Sequence, residues 1–277
     1  MRAPKETYTF ASQSIGLPSV ANARELGGIV LPDGRRVRHG LLLRGGNLSV
    51  ASKDDLLRLR TAFPLTHDFD FRTEAEVTIA PDPPLPGIRF VWLPAIDPDT
   101  EKPGISALPQ DAYRHLDVWL IENAQDEMVQ RVARRLYNDM VVNEYTQLQY
   151  AAFLQMVTAA EGAVYWHCSQ GKDRTGLAAA FLLAALGADR ETIMADYEIS
   201  NDYYHDITTR IIQEVRARGG NDDAVAGRQT FIGVNPEYFS GALDLIDKKY
   251  GSMQNYLTNQ LLLSEEDMAR LRDRLLE

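Results

Sequence analysis

A chain of 277 residues, 45% hydrophobic and 25% charged, is long enough to bury a full core and has the balance of a soluble globular protein. Its net charge of −10 argues against a general nucleic-acid or anionic-membrane surface, so an anionic substrate has to be drawn in by local groups. The one cysteine, Cys168, excludes an internal disulfide framework and fits a reducing compartment, which would also spare a reactive thiolate from oxidation.

Taken in order, residues 1–20 are polar and lack the apolar core of a secretory signal. Asn22-Ala23-Arg24-Glu25-Leu26-Gly27-Gly28 reads as a polar turn closed by a Gly-Gly break. Residues 31–38 form a predicted hairpin around Pro32-Asp33-Gly34, and 41–44 a short buried strand. Ser52, with Asp55 three residues on, is placed to cap a helix running to residue 60. Residues 66–71 read as a strand that ends in Asp70-Phe71-Arg72. Four prolines between 81 and 86 mark a loop, and 88–93 is a further strand leading to a loop that carries Asp97 and Asp99.

Residues 111–160 form a predicted helical block. Val129, Val132, Ala133, Leu136, Tyr137, Met140 and Val141 line one helix face, a stripe suited to packing on a sheet. Its first part, 111–120, is a candidate lid, with His115 read as a packing or surface residue near Trp119. Residues 177–186 are apolar on all sides, which implies a buried helix too short to cross a bilayer. Gly187 stops it and Asp189 caps the next helix. After a break at 219–223, Asn235-Pro236 and Ser264 open the helices of a C-terminal part spanning 228–277. Strands near 41, 66, 88 and 163, separated by helical segments, predict a single α/β domain over 1–277. Its central sheet is expected to be mainly parallel and flanked by helices. The expected location is cytoplasmic, with export by a non-classical route left open and no stable membrane insertion.

The chemistry concentrates at Ala163-Val164-Tyr165-Trp166-His167-Cys168-Ser169-Gln170-Gly171-Lys172-Asp173-Arg174-Thr175-Gly176. An apolar strand runs into a polar loop that opens a helix, and such a loop aims its free N–H groups at one point, making an anion site. Cys168 lies under that point, where the same positive field favours its thiolate. Arg174 can offer a planar fork to two phosphate oxygens, and Gly171 allows the backbone to bend into a cradle. A nucleophile beneath a bound phosphate is suited to covalent phosphoryl transfer. A nucleotide-binding phosphate loop would need Ser or Thr after Lys172 and Gly at position 166, where the chain has Asp173 and Trp166. A sulfurtransferase loop would not ask for Arg174-Thr175.

His167-Cys168-x-x-Gly171-x-x-Arg174-Thr175 resembles the phosphate loop of the cysteine-dependent protein tyrosine phosphatase superfamily, and HCSQGKDRTG resembles its bacterial tyrosine/lipid phosphatase branch. The likeness extends to 22–28, which is similar to the family's Asn-Phe-Arg-Asp-Leu-Gly-Gly with Ala23 and Glu25 as departures. It extends also to the 45–49 segment, to Asp70-Phe71-Arg72, and to Asp196-Tyr197-x-x-Ser200. The resemblance implies a tyrosine-phosphatase-like fold and a phosphomonoesterase acting through a phosphocysteine on Cys168. Arg174 and the loop from Ser169 through Gln170, Gly171 and Lys172 would bind the phosphoryl group, while Thr175 would stabilise the departing sulfur. His167 would brace the loop and Arg24 would lie close behind the site.

For the general acid, Asp173 comes first because this branch carries an aspartate inside the loop. Asp70 comes second and Asp97 or Asp99 third, the last two reading better as solvated or ion-paired carboxylates. Lys172 is expected either to reach the pocket rim, where it would suit a second phosphate, or to pair with a neighbouring carboxylate. The expected partners are phosphorylated proteins, phosphotyrosine first, or phosphorylated lipids such as phosphoinositides. No nucleic acid, metal or cofactor is expected, and the oligomeric state stays open. The rival reading is a module that recognises phosphate without turnover.

Overall fold

Ala163–His167 is the strand about which the rest is laid, because alternate residues feed two separate cores. Val164 and Trp166 join Leu42, Phe69 and Phe71 on one face, while Ala163 and Tyr165 join Leu43 and Leu65 on the other. Burial on both faces is why the strand reads as a continuous apolar run. The computed structural model describes residues 13–99, 127–222, 225 and 232–277. Its strands are β1 (Arg24–Glu25), β2 (Leu42–Gly45), β3 (Leu65–Asp70), β4 (Arg89–Trp92) and β5 (Ala163–His167). They form one sheet in the order β1-β2-β5-β3-β4, antiparallel only between β1 and β2. The predicted α/β architecture, with its mainly parallel sheet flanked by helices, is therefore present.

The helices are α1 (Lys53–Ala62), α2 (Glu74–Ile79), α3 (Glu127–Val142), α4 (Glu144–Ala159) and α5 (Asp173–Leu186), followed by α6 (Arg190–Glu198), α7 (Ser200–Ala217), α8 (Pro236–Tyr250), α9 (Met253–Asn259) and α10 (Glu265–Leu275). Ser52, Asp189, Asn235 and Ser264 cap α1, α6, α8 and α10 by accepting first-turn N–H groups, as their positions predict. Gly187 ends α5 in the left-handed region, at φ 103°. Helix α5 is apolar all round because β5 and helices α4, α6, α9 and α10 enclose it.

The 31–38 hairpin is present but short: Val30 bridges Arg36, Leu31 N donates to Arg35 O at 2.8 Å and Val37 N to Ile29 O at 2.9 Å, and Val37 also bridges Leu276. One local expectation differs. The apolar stripe of α3 packs mainly on α8 and α4 rather than on the sheet. The candidate lid at 111–120 and His115 lie outside the described residues. Among the described residues no helix is long and apolar enough to cross a membrane.

Candidate active site

The loop from Cys168 to Lys172 lies at the C-terminal end of β5, the middle strand, and Asp173 begins α5. Ligands of parallel sheets bind at this edge, and here the helix N-terminus adds its positive field. Gly171 has φ 66°, and a Cβ there would come within 2.3 Å of the Gly45 carbonyl group, so only glycine lets the loop touch the end of β2.

A cradle for an anion must turn its N–H groups inward and its carbonyls outward, and a buried outward carbonyl without a donor costs about 1–3 kcal/mol. Each carbonyl of this loop has one. His167 Nδ1 reaches Cys168 O at 3.2 Å, Asn47 Nδ2 reaches Ser169 O at 2.8 Å, and the Tyr204 hydroxyl reaches Gln170 O at 2.7 Å. Asn22 Nδ2 and Arg44 Nη2 both donate to Gly171 O, at 2.7 and 3.0 Å, and Arg44 Nη2 lies 3.4 Å from Lys172 O. The next turn is held the same way, by Tyr150 on Arg174 O and Trp166 Nε1 on Thr175 O. Asn22 takes positive φ (58°) to do this, a conformation that asparagine tolerates better than most residues. Arg24, fully buried beside it, donates to Asn22 and to Asp196, directly behind the loop.

Arg174 projects from the first turn of α5 and is gripped by Glu76 of α2 through both carboxylate oxygens, at 2.6 and 2.8 Å. Arg174 Nη1 also reaches Phe71 O at 3.3 Å, which leaves the Nε edge of the fork for a phosphate. Ser169 Oγ donates to the same Glu76 carboxylate. Burial works to raise the Glu76 carboxyl, but Arg174 outweighs it and holds the group well below the usual range. Glu76 is aimed by a capping box, in which Thr73 accepts from Glu76 N and the Glu76 carboxylate accepts from Thr73 N. The Thr-x-x-Glu spacing was the available signal for this residue, whose role the sequence reading did not identify.

Cys168 is 3% exposed. Burial pushes its thiol up, while the Arg174 guanidinium and the Thr175 hydroxyl pull it down, and the net is below the ordinary value. His167 is enclosed by three carboxylates, Asp68 at 3.4 Å, Asp82 at 3.1 Å and Asp70 at 3.7 Å. Burial opposes its charge, but Asp68 and Asp82 raise its pKa well above the ordinary histidine value, which favours the charged imidazole. Asp68, Asp82 and His167 bring possible metal-ligand atoms within 4.8 Å of one another, which their sequence spacing does not suggest. Arg72 lies 2.8 Å from Asp82, burial raises the Asp68 carboxyl, and the buried Asp68 Oδ1, Asp82 Oδ1 and His167 Nε2 lack hydrogen-bond partners among the described residues.

Asp173 Oδ1 accepts from Tyr137 of α3 and Tyr197 of α6, whose hydroxyls are 2.5 Å apart. Neither tyrosine was expected to contact the loop: Tyr137 read as part of a packing stripe and Tyr197 as part of a motif. Asp70 is fully buried and bound by Arg72 through both oxygens, at 2.7–3.0 Å, a poor position from which to meet a leaving group. Asp97 accepts from Asn143 at 2.9 Å, and Asp99 is exposed beyond it. Gln170 is exposed at the loop's crest. Lys172 departs from the expected rim position. Its ammonium is buried, donates to Ile232 O and Gly233 O at 2.8 and 3.0 Å, and lies 5.3 Å over the Tyr204 ring.

Comparison with known proteins agrees with this geometry. Residues 15–277 match the profile of the tyrosine phosphatase family. A Cupriavidus necator protein with a provisional tyrosine-protein phosphatase name is 32% identical over 280 residues, covering 98% of this chain and 91% of that protein. The triple specificity protein phosphatase PtpB of Mycobacterium tuberculosis is 30% identical over 257 residues, 87% of this chain and 91% of PtpB. A tyrosine-protein phosphatase of Nostoc commune is 31% identical over 136 residues, 47% of this chain and 45% of that protein.

Proposed function

Since this chain belongs to the tyrosine phosphatase family, we propose that it hydrolyses phosphomonoesters, phosphotyrosine first, through a phosphocysteine formed on Cys168. The observation that carries this reading is the outward pinning of every carbonyl from Cys168 to Lys172, which turns the loop's N–H side toward a phosphoryl group above the thiolate.

In the first step the Cys168 thiolate attacks phosphorus and the bond to the leaving oxygen breaks, with Asp173 giving that oxygen its proton. The phenols of Tyr137 and Tyr197 both address Asp173 Oδ1, so Oδ2 carries the exchanged proton. In the second step water attacks the phosphocysteine, Asp173 takes a proton from it, and the sulfur departs as a thiolate beside the Thr175 hydroxyl. Throughout, Arg174 and the loop N–H groups from Ser169 to Arg174 stabilise charge on the non-bridging oxygens. Residues 1–277 are taken as one phosphatase domain, supported by two hydrophobic clusters on opposite faces of one sheet.

Phosphoinositides are proposed as further substrates, supported by the triple specificity named for PtpB. The buried Lys172 does not add to that support. The test is phosphate release from para-nitrophenyl phosphate, then from phosphotyrosine peptides, soluble phosphoinositides and phosphoserine peptides side by side. Turnover on the first three with little on phosphoserine is expected. Binding of inorganic phosphate without any turnover would instead identify a recognition module.

A further inference from the structure

Arg24 and Arg44 are direct cross-strand partners in the antiparallel β1–β2 pair, and both are fully buried. Like charges facing each other across a ladder repel, and burial sharpens the repulsion. One carboxylate separates them. Asp196 of α6 takes Arg24 Nε on Oδ1 at 3.3 Å and Arg44 Nη1 on Oδ2 at 2.5 Å. Arg24 also meets Asp196 O, Asn22, the Ser200 hydroxyl and, at 5.6 Å, the Tyr203 ring, all of them neutral. Two guanidiniums against one carboxylate leave one positive charge in excess behind the loop.

We propose that the Arg24–Asp196–Arg44 triad is a buried charge plate under the phosphate loop, in which the guanidinium charge that Asp196 does not neutralise holds Cys168 as its thiolate. Arg44 is the member that couples plate to loop, since its Nη2 donates to Gly171 O and lies near Lys172 O. It is a positioning residue, acting on the thiol through space and on the loop through those carbonyls.

Burial and the neighbouring Arg24 push Arg44 down to about 10, so it is still a cation at neutral pH, and the Cys168 thiolate is among the groups that hold it charged. The other groups facing the thiol come from every element packed on the loop. Arg174 and Lys172 favour its charge, Asp173 and Glu76 oppose it, and the His167 and Arg72 side chains together face Asp68, Asp70 and Asp82. Tyr150, Tyr165 and Tyr204 are neutral, their hydroxyls kept protonated by burial.

This inference rests on Cys168 being the nucleophile, but its test does not use turnover. Cys168 is the only cysteine, so the rate of iodoacetamide alkylation of the full chain against pH titrates that one thiol. Arg44→Met should move the midpoint up by about one pH unit, and Asp196→Asn should move it down, since that change removes the negative member. Arg44→Lys keeps the charge and loses the fork, so its midpoint should stay near wild type. A purely structural clamp would loosen the loop in all three variants and send every midpoint upward. Upward shifts in both Arg44→Lys and Arg44→Met, or no shift in Arg44→Met, would overturn the proposal. The Met/Lys contrast decides the matter even if Asp196→Asn does not fold. A wild-type chain without phosphatase activity, with the predicted midpoints intact, would count against the enzymatic reading alone.

Discussion

Glu76 meets Arg174 end on, each carboxylate oxygen taking one Nη nitrogen at 2.6 and 2.8 Å, with side-chain exposures of 32% and 12%. A short helix with no fully buried residue thereby orients the guanidinium proposed to grip a phosphate. The two ends of the link come from different sides of the site, α2 and α5.

Glu76→Gln should lower kcat/KM about tenfold, chiefly through KM, because the fork loses its fixed orientation while the thiol remains. Stability at neutral pH should fall by about 1–2 kcal/mol, the pair being partly open to solvent. The folded carboxyl is held below its ordinary 4.5, so its contribution is present above that value and disappears as pH falls through the folded value. Urea unfolding at pH 7 and pH 3 should therefore show a wild-type advantage that shrinks in acid. An equal advantage at both would refute the ionic assignment.

Cys168→Ser should abolish turnover yet retain inorganic phosphate binding, since the donors that shape the loop lie on other residues. Calorimetric titration with phosphate checks the second half. Activity near wild type would remove Cys168 from the mechanism.

Asp173→Asn should reduce kcat about 10²–10⁴-fold on substrates with poor leaving groups, and much less where no proton is needed. Tyr137→Phe should produce a weaker version of the same trend, because it frees Asp173 to turn. Asp70→Asn should instead cost about 1–3 kcal/mol of stability, because buried Arg72 keeps Asp82 but loses the carboxylate that binds it through both oxygens. A steep leaving-group dependence in Asp70→Asn alone would transfer the acid's role.

Lys172→Ala should lower phosphotyrosine and phosphoinositide rates by similar factors and reduce the melting temperature. The ammonium anchors the carbonyls of Ile232 and Gly233 rather than facing the pocket. A selective loss on phosphoinositides would mean that the lysine leaves these carbonyls when a second phosphate arrives.

What could be read from the chain was whatever depends on near neighbours. The caps at Ser52, Asp189, Asn235 and Ser264, the apolar run of β5 and the loop that follows it are all local patterns, and all are present. Glu76 was half visible, since a capping box is local but its grip on Arg174 spans 98 residues. Tyr137 could not be told from its packing neighbours, because its hydroxyl meets Asp173 only after α3 docks on α8 and α4. The rim position read for Lys172 failed for a similar reason: its neighbours in sequence are charged, yet its ammonium also donates to backbone carbonyls 60 and 61 residues away. The two-residue β1 carries no periodicity, and the Asp196 that its Arg24 shares with Arg44 lies 172 residues on.

The side chains that pin the Ser169, Gln170 and Gly171 carbonyls stand between 34 and 149 residues away in the chain. A ribosome that has released everything through the end of α5 has delivered the whole loop sequence, but not Tyr204 or the Asp196 that steadies Arg44. Such a nascent fragment holds its cysteine on an unshaped loop, without the outward pulls that turn the amides inward. Hydrolytic power is thus acquired late in synthesis, and a truncated product that ends before α7 is expected to be inert rather than indiscriminate.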